Sequence, residues 1–359
     1  MNDPTLSRAT TMVSHPWPAS VLVTGGAGFI GTNVVRRLAS AGVRVTVLDN
    51  FSRQYSHDNA TMLQSEFGTG IEVVAADIRD REVVASATSG VGAVVHLAGQ
   101  TAVTRSILDP YGDFQDNAIG TINVLEAARQ SPDQPVVLYA STNKVYGDLE
   151  SLHIVEEPDC YRFADLPEGV DETQPIDFAS PYACSKGAGE QYVRDHARTY
   201  GMRTVVFRQS CIYGPHQLGA EDQGWLAWFL VAARSGRPLT IYGDGKQVRD
   251  LLYVDDLIDC YGAALAHIDV TSGQIYNVGG GVTNSVSVWW QLRPMLEAAL
   301  GESLPEPEFG PWRLGDQRIF CADTGKARRD FGWSPATAPI DGLRRMVQWY
   351  DNRSSVAAP

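Results

Sequence analysis

The stretch Val21-Leu22-Val23-Thr24-Gly25-Gly26-Ala27-Gly28-Phe29-Ile30-Gly31 places an apolar run directly before glycines that recur every third residue. The run predicts a strand, residues 31–40 predict an amphipathic helix, and residues 43–48 predict the next strand. A glycine turn between a strand and a helix is typical of a dinucleotide-binding βαβ unit, because the free N–H groups and positive dipole end of the helix attract a pyrophosphate.

The glycines of this loop have separate predicted roles. Gly25 permits the tight turn, Gly28 lets the backbone approach a pyrophosphate, and Gly31 lets the helix pack on the strand. Asp49 closes the second strand, where a carboxylate accepts hydrogen bonds from an adenosine ribose and repels a 2′-phosphate. The pattern therefore predicts NAD as the cofactor, although Arg53 close by leaves NADP open.

Strands and helices continue to alternate beyond this unit. Further strands are predicted at residues 71–75, 93–97, 136–139, 204–207 and 274–278. Such a chain forms a Rossmann-type, doubly wound parallel α/β sheet, and its ligands lie beyond the carboxyl ends of the strands. The residues that follow the strands are Asp49, Asp77, Ile78, Ala98, Gly99, Gln100, Ser141, Thr142, Arg208, Gln209 and Ser210.

The regular alternation breaks near residue 214, where irregular segments rich in tryptophan and glycine begin. We predict an N-terminal tail over residues 1–19, an NAD-binding Rossmann domain over 20–213 with returning segments near 247–262 and 274–281, and a smaller, interleaved substrate lobe over 214–246 and 282–359. The polar segment 148–180 predicts either an ordered loop over the site or a disordered insert.

Tyr182 and Lys186 lie four residues apart and therefore share one face of a predicted helix that runs to about Tyr200. The ammonium is expected to favour the phenolate and lower a tyrosine pKa that is normally about 10. A phenolate beside a nicotinamide can remove a proton from a sugar hydroxyl while hydride leaves the same carbon. Any helix can carry such a pair, but its place downstream of the glycine loop favours the catalytic interpretation.

Composition excludes several classes of partner. The 359 residues carry a net charge of −13 without a basic stripe, so neither nucleic acid nor an anionic membrane is an expected partner. No apolar run is long enough to span a bilayer, and the first residues lack a secretion signal. The 5 cysteines are widely spaced without a C-x-x-C pair, which predicts free thiols in the cytoplasm and no metal site.

The chain resembles the extended short-chain dehydrogenase/reductase family of nucleotide-sugar enzymes, the NAD-dependent epimerases and dehydratases, from about residue 20 to 350. The motifs that carry the resemblance are residues 24–31 (TGGAGFIG), 96–100 (HLAGQ), Tyr182 with Lys186, residues 213–215 (YGP), and Arg249 with Asp250. The resemblance implies the Rossmann fold, NAD, a nucleotide-diphosphate sugar as substrate, and assembly as a homodimer or homotetramer.

The resemblance also implies two sets of site residues. The implied NAD site comprises Gly25, Gly28, Phe29, Ile30, Gly31, Asp49, Asn50, Arg53, Asp77, Ile78, Leu97, Ala98, Gly99, Gln100, Asn117, Ser141, Tyr182, Lys186, Arg208 and Ser210. The implied substrate site comprises Gln100, Thr142, Asn143, Lys144, Cys211, Gln223, Trp225, Arg249 and Arg318.

Residues 141–148 (STNKVYGD) distinguish groups within this family. Its dehydratases carry Asp-Glu where Asn143 and Lys144 stand, and neither replacement reproduces that acid–base pair. Related decarboxylases commonly carry a Glu at the position of Lys144. The string is similar to that of the family's CDP-sugar 2-epimerases, as are residues 222–225, 245–250, 284–287 and 316–318. This similarity implies that hydride leaves C2 of a CDP-hexose of the paratose, tyvelose or glucose type and returns to the opposite face.

Thr142, Tyr182 and Lys186 are the implied catalytic residues. Tyr182 would take the proton of the sugar 2-hydroxyl, Thr142 would hydrogen-bond that hydroxyl, and Lys186 would hold the nicotinamide ribose and the phenolate. Arg249 and Arg318 are expected to bind the diphosphate, although each could instead pair with a neighbouring Asp.

Several alternatives stay open at this point. Trp225 could stack on the base or sugar, or belong to the lobe core, and Cys211 stands where many relatives carry Asn. His96 ends a buried strand and is expected to be structural. A UDP-hexose 4-epimerase would use the same base and cofactor. A non-catalytic NAD-binding protein of this fold is a further alternative, but such proteins commonly lose the Tyr–Lys pair.

Overall fold

The computed structural model describes residues 15–53, 55–219, 224–313 and 315–356. The strands of these segments are β1 (Ser20–Thr24), β2 (Arg44–Asp49), β3 (Ile71–Ala75), β4 (Ala93–His96), β5 (Val136–Thr142), β6 (Ile154–Glu156), β7 (Tyr161–Phe163), β8 (Thr204–Gln209), β9 (Cys211–Tyr213), β10 (Thr240–Tyr242), β11 (Val248–Tyr253), β12 (Gln274–Val278), β13 (Ser285–Ser287), β14 (Glu308–Gly310) and β15 (Ile319–Phe320). The helices are α1 (Phe29–Ser40), α2 (Ser56–Phe67), α3 (Arg81–Thr88), α4 (Val103–Leu108), α5 (Pro110–Phe114), α6 (Gly120–Gln130), α7 (Pro181–Tyr200), α8 (Trp225–Ser235), α9 (Val254–Ala266), α10 (Ile268–Thr271), α11 (Leu292–Leu300), α12 (Gly325–Phe331) and α13 (Pro339–Val356).

The central sheet is parallel and doubly wound. In the described segments its 7 strands lie in the order β12-β8-β5-β4-β1-β2-β3. Val21 of β1 pairs with Val45 of β2 on one side and with Ala93 of β4 on the other. The strand order therefore reverses between β1 and β4, which opens a crevice at their carboxyl ends. This sheet confirms the predicted Rossmann-type fold, with strand ends shifted by a few residues at most.

Helix α7 packs closely against its neighbours because glycines occupy its inner face. A Cβ at Gly189 would lie 2.6 Å from the Tyr139 hydroxyl of β5, and a Cβ at Gly187 would lie 2.3 Å from the Phe178 ring. The Ser180 side chain caps the helix by accepting from Ala183 N, at 3.2 Å. Capping and close packing together fix the first turns of α7 against the carboxyl end of β5.

A smaller sheet forms the centre of the second lobe. Strand β11 pairs with β9 and β15 in parallel and with β13 in antiparallel orientation. Strands β10 and β14 pair with each other. Buried side chains of Leu226, Phe229, Leu251 and Trp289 fill the core between this sheet and the helices α8, α11 and α13. The connection back to the large sheet runs through α9, which packs on α1, and β12, which pairs with β8.

The predicted N-terminal tail and the segment 148–180 each contain more ordered structure than their composition required. Residues 1–14 of the predicted tail lie outside the described residues, but Trp17 is buried in the main hydrophobic core. The segment 148–180 is ordered, with a hairpin of β6 and β7 and buried Tyr161 and Val170. It packs beside the second lobe, and none of its residues lines the two cavities described below.

Candidate functional site

The glycine loop joins β1 to α1 with the geometry that its spacing predicts. Gly25 has a φ of +67° and its N–H donates to Leu48 O at 2.7 Å. A Cβ at Gly31 would lie 2.2 Å from Gly25 O, so only glycine lets the helix approach the turn this closely. The Asp49 carboxylate accepts from Ala27 N at 3.0 Å and ties the loop to the end of β2.

A groove runs from this loop across the carboxyl ends of the strands. Of the residues predicted for the NAD site, those that line the groove are Gly25, Gly28, Phe29, Ile30, Gly31, Asp49, Asn50, Arg53, Asp77, Ile78, Leu97, Ala98, Gly99, Gln100, Ser141, Tyr182 and Lys186. Lining residues that the sequence did not single out include Ser52, Tyr55, Thr101, Arg105 and Asp116, which lie on loops and helices rather than at strand ends.

The pKa values of two aspartates at one end of the groove are shifted in opposite directions. Burial raises the pKa of Asp49, against the lowering effect of hydrogen bonds from the N–H groups of Phe51 and Ala27. Burial also raises the pKa of Asp77, but hydrogen bonds from Arg79 and Asn50 outweigh it and lower the pKa to about 2. Asp77 is therefore held ionised and oriented by its neighbours.

Three residues predicted for the cofactor site lie outside the groove lining. Arg208 forms a buried ion pair with Glu190 at 2.6 Å and donates to the Tyr146 hydroxyl at 2.8 Å. Its charge is therefore neutralised by a protein carboxylate. Ser210 lines the second cavity and donates to the buried Asp250. Asn117 lies behind the groove, where its Oδ1 is buried without a hydrogen-bond partner.

Gln100 lines the groove, but its amide is satisfied by the protein. Its Nε2 donates to Ala102 O and to Asp113 Oδ1, each at 2.8 Å, and its Oε1 accepts from Ala102 N. His96, at the end of β4, contacts the hydroxyls of Thr24 and Thr121 at 2.7 and 3.0 Å. Burial lowers the His96 pKa to about 3, so the imidazole is neutral and structural.

Tyr182 lies at the junction of the groove with a second cavity and borders both. Its hydroxyl is hydrogen-bonded to the Thr142 side chain at the end of β5. The Lys186 ammonium, one turn further along α7, lies 4.3 Å from the centroid of the Tyr139 ring. The predicted pair is therefore on one helix face, directed to the crevice where the strand order reverses.

The protonation of this pair differs from the prediction made for it. Burial raises the pKa of Tyr182 to about 12, although the Thr142 hydrogen bond opposes the rise. Burial lowers the pKa of Lys186 to about 7, against the raising effects of Asp113 and Glu190. In the protein alone, desolvation outweighs the expected stabilisation of the phenolate by the ammonium. The neutral pair and the phenolate–ammonium pair differ only in the position of one proton.

The second cavity lies between the sheet edge and the smaller lobe. The predicted substrate residues that line it are Thr142, Asn143, Lys144, Cys211, Trp225 and Arg249. Arg318 does not line it; its guanidinium lies over the rings of Tyr161 and Trp312 at 5.2 and 5.0 Å. Gln223 lies outside the described residues. Cys211 is a poor nucleophile here, because burial raises the pKa of its thiol to about 12.

Charged groups concentrate on one wall of this cavity. Arg249 pairs at 2.6 Å with Asp316, which is distant in sequence, rather than with its sequence neighbour Asp250. Lys144 Nζ lies 3.8 Å from the same carboxylate and donates to Gly315 O at 3.2 Å. Burial and the charge of Arg249 lower the pKa of Lys144 to about 8. Arg313, which the sequence did not suggest, lies 3.7 Å from the centroid of the Tyr242 ring.

Residues 21–279 match the family described as "NAD dependent epimerase/dehydratase family". The chain belongs to the NAD-dependent epimerase/dehydratase family. This family member is 42% identical to the CDP-paratose 2-epimerase of Salmonella typhi over 92% of this chain and 98% of that protein. It is 35% identical to the UDP-glucose 4-epimerase of Mycolicibacterium smegmatis over 93% and 99% of the two chains.

The solved structures agree with this membership. A dTDP-glucose 4,6-dehydratase of Streptomyces venezuelae, crystallised with NAD, superimposes with a TM-score of 0.80 at 30% identity and covers 94% of this chain and 98% of that chain. The epimerase/dehydratase family member described here is an NAD-dependent enzyme of the isomerase class, as the sequence predicted.

The groove fits NAD. A Cβ at Gly25 would lie 2.8 Å from Ala98 N, so the glycine cradle leaves room for a diphosphate that a side chain would fill. Asp49 would hold the adenosine ribose at one end of the groove, and Tyr182 and Lys186 would flank the nicotinamide at the other. In the described residues, no group of His, Cys, Asp and Glu side chains could hold a metal ion, and no helix is long and apolar enough to cross a membrane.

Proposed function

We propose that this protein is an NAD-dependent 2-epimerase of a CDP-hexose, of the CDP-paratose/CDP-tyvelose or CDP-glucose type. The observation that carries the proposal is the position of Tyr182 at the junction of the two cavities, with Thr142, Asn143 and Lys144 lining the second cavity beside it. The junction supplies a proton acceptor for a sugar hydroxyl. Asn143 and Lys144 place an amide and an ammonium where an elimination of water would need two carboxylates.

Each residue at the junction has a separate role in the proposed reaction. Tyr182, as the phenolate partner of a protonated Lys186, accepts the proton of the 2-hydroxyl, and Thr142 keeps that hydroxyl and the tyrosine oxygen in one hydrogen-bonded chain. The hydride acceptor and donor for C2 would be supplied by NAD bound in the groove, which would allow the hydride to return to the other face of the sugar. Tyr182 then gives its proton back to the C2 oxygen, so the product is inverted at C2 and no net oxidation occurs.

The charged wall of the second cavity supports an anionic substrate. Arg249, Lys144 and Arg313 line this cavity, and Asp316 is the carboxylate that contacts the first two. Guanidinium groups match phosphate oxygens well, so a diphosphate can replace the Asp316 carboxylate on Arg249. Arg318, which the sequence assigned to the diphosphate, is instead proposed to support the loop through Tyr161 and Trp312.

The choice of CDP rests on similarity. The relative at 42% identity is a CDP-paratose 2-epimerase, whereas the relative at 35% is a UDP-glucose 4-epimerase. We also expect assembly as a homodimer or homotetramer, which would cover the exposed side chains of Leu108 and Tyr111. A cytoplasmic location stays a prediction; the 5 free thiols fit a reducing compartment.

The test is product analysis with a panel of CDP- and UDP-hexoses in deuterated buffer, followed by NMR. We expect inversion at C2 of a CDP-sugar without deuterium uptake at that carbon, because hydride never exchanges with solvent. Inversion at C4 of a UDP-hexose would identify the rival 4-epimerase. NAD binding without turnover of any sugar in the panel would support a non-catalytic protein.

A further inference from the structure

A buried carboxylate lies behind the catalytic helix. Asp113, on α5, is 2% exposed. Its Oδ1 accepts from Gln100 Nε2 at 2.8 Å and from Asn117 Nδ2 at 3.2 Å, and its Oδ2 accepts from the Ser185 hydroxyl. A carboxylate in such a place is costly to bury unless its hydrogen bonds are satisfied, and three side chains satisfy this one.

The hydrogen bonds around Asp113 extend to α7. A π-helical turn, Gln115–Ile119, follows α5 and holds Asn117, whose Nδ2 also donates to Ser185 Oγ at 3.0 Å. Ser185 lies between Tyr182 and Lys186 in sequence and contacts Tyr182 O at 3.1 Å. The first turns of α7 are therefore hydrogen-bonded to Asp113 through a residue inside the catalytic motif.

The charges that act on Lys186 can be compared one by one. Two carboxylates, Asp113 and Glu190, favour its ammonium form. Glu190 is already paired with Arg208 at 2.6 Å, whereas the hydrogen-bond partners of Asp113 are neutral side chains. His96 faces the ammonium but is kept neutral by burial.

Two aromatic residues also lie near the Lys186 side chain. Tyr139 presents its ring face, and the Tyr182 hydroxyl lies one helical turn away on α7. Neither adds a negative charge while its hydroxyl is protonated. The unneutralised carboxylate of Asp113 is therefore the group best placed to hold a proton on this lysine.

We propose that Asp113 is a positioning residue, whose charge keeps Lys186 protonated inside the protein and whose hydrogen bonds fix the catalytic turn of α7. Burial lowers the pKa of Lys186 to about 7, and Asp113 gives the largest opposing effect. Without Asp113, the ammonium that stabilises the Tyr182 phenolate would be scarce at neutral pH. The inference deepens the proposed function, but it concerns the ionisation of a lysine and can be measured without turnover.

The chain is well suited to this measurement because it has only four lysines, Lys144, Lys186, Lys246 and Lys326. Protein labelled with ¹³C at lysine Cε gives one NMR signal for each lysine, and the signal of Lys186 is assigned by its loss in Lys186→Met. The pH titration of this signal is compared between the full-length wild-type chain and Asp113→Asn. Asparagine keeps the shape of aspartate, removes its charge and replaces one accepting oxygen with a donating amide nitrogen.

We expect the pKa of Lys186 to fall by on the order of one pH unit in Asp113→Asn. Ser185→Ala is the matched control, since it removes a hydrogen bond to Asp113 but leaves the charge, and it should leave the Lys186 titration close to that of the wild type. If the Asn variant does not fold, Asp113→Ser removes the same charge with a smaller side chain.

An unchanged Lys186 titration in a folded, neutral variant at position 113 would overturn the inference. This outcome is distinct from failure of the proposed function, which would show as absence of 2-epimerase activity in the wild type while the lysine titrations still differ. Where turnover is measurable, the activity of Asp113→Asn should also decline at a lower pH than that of the wild type. A uniform loss of activity with the same pH profile would indicate a purely structural role and would likewise count against the inference.

Discussion

Arg249 and Asp316 form an ion pair, with 2.6 Å between guanidinium and carboxylate, on the wall of the cavity that Tyr182 borders. The pair keeps a buried cation neutralised, because an unpaired charge there would be costly. In the proposed function, a substrate diphosphate would take over this role from Asp316. The structure thus separates Arg249, which faces the cavity, from Arg318, which does not.

This separation predicts different effects for two similar mutations. Arg249→Met should weaken CDP binding by roughly 10- to 100-fold, since a hydrogen bond to a charged group contributes about 1.5–3 kcal/mol. Arg318→Met, the matched control, should change the Kd for CDP by less than about threefold. Isothermal titration calorimetry of both variants measures the two Kd values for CDP. Equal losses in the two variants would restore Arg318 to the diphosphate site.

Tyr182→Phe removes one oxygen and keeps the ring that borders both cavities. Because a positioned proton acceptor contributes about 10²–10⁴-fold, we expect turnover to fall by that factor while NAD still binds. Activity assays and NAD titration of the same preparation provide the two readouts. Turnover close to that of the wild type would remove Tyr182 from the reaction.

The glycine loop predicts a steric effect that can be checked against a matched control. Gly31→Ala would place a Cβ 2.2 Å from Gly25 O, whereas Gly70→Ala would meet only the Phe67 Cβ, at 3.9 Å. Gly31→Ala should lower the free energy of unfolding by about 1–3 kcal/mol and abolish NAD binding, and Gly70→Ala should do neither. Thermal unfolding with and without NAD measures both effects. Retained NAD affinity in Gly31→Ala would show that the loop can open without cost.

The buried Lys186 predicts a pH dependence of stability. Its pKa is about 7 in the folded protein against 10.5 for the ordinary side chain, so between these values the unfolded chain binds more protons than the folded one. Stability attributable to Lys186 should therefore rise as pH increases from about 7 toward 10.5. We expect the free energy of unfolding of the wild type minus that of Lys186→Met to increase across this window. A difference that is flat or falls with pH would mean that the ammonium is not desolvated.

Local patterns in the sequence predicted the parts of the site that local geometry determines. The glycine spacing, Asp49 at the end of β2 and the Tyr182–Lys186 interval on α7 depend on residues close in sequence, and the structure places them as expected. The parallel sheet followed from the alternation of strands and helices.

Pairing between distant residues could not be predicted in the same way. Arg208 follows the strand predicted over residues 204–207, which suggested a ligand role, but in the structure it lies within β8 and forms an ion pair with Glu190 of α7. The partners of Arg249 and Arg318 depend on the position of the loop around residue 316, which cannot be predicted from sequence spacing. No sequence pattern indicated a role for Asp113, because its hydrogen-bond partners come together only where the π-helical turn packs against α7.

Hydride return to the opposite face of C2 is the central claim, and an isotope at that carbon tests it most directly. A CDP-hexose carrying deuterium at C2 should be converted, in ordinary water, to a product that is inverted at C2 and still carries the deuterium. Loss of the deuterium to solvent, or inversion at C4 with C2 unchanged, would contradict the mechanism.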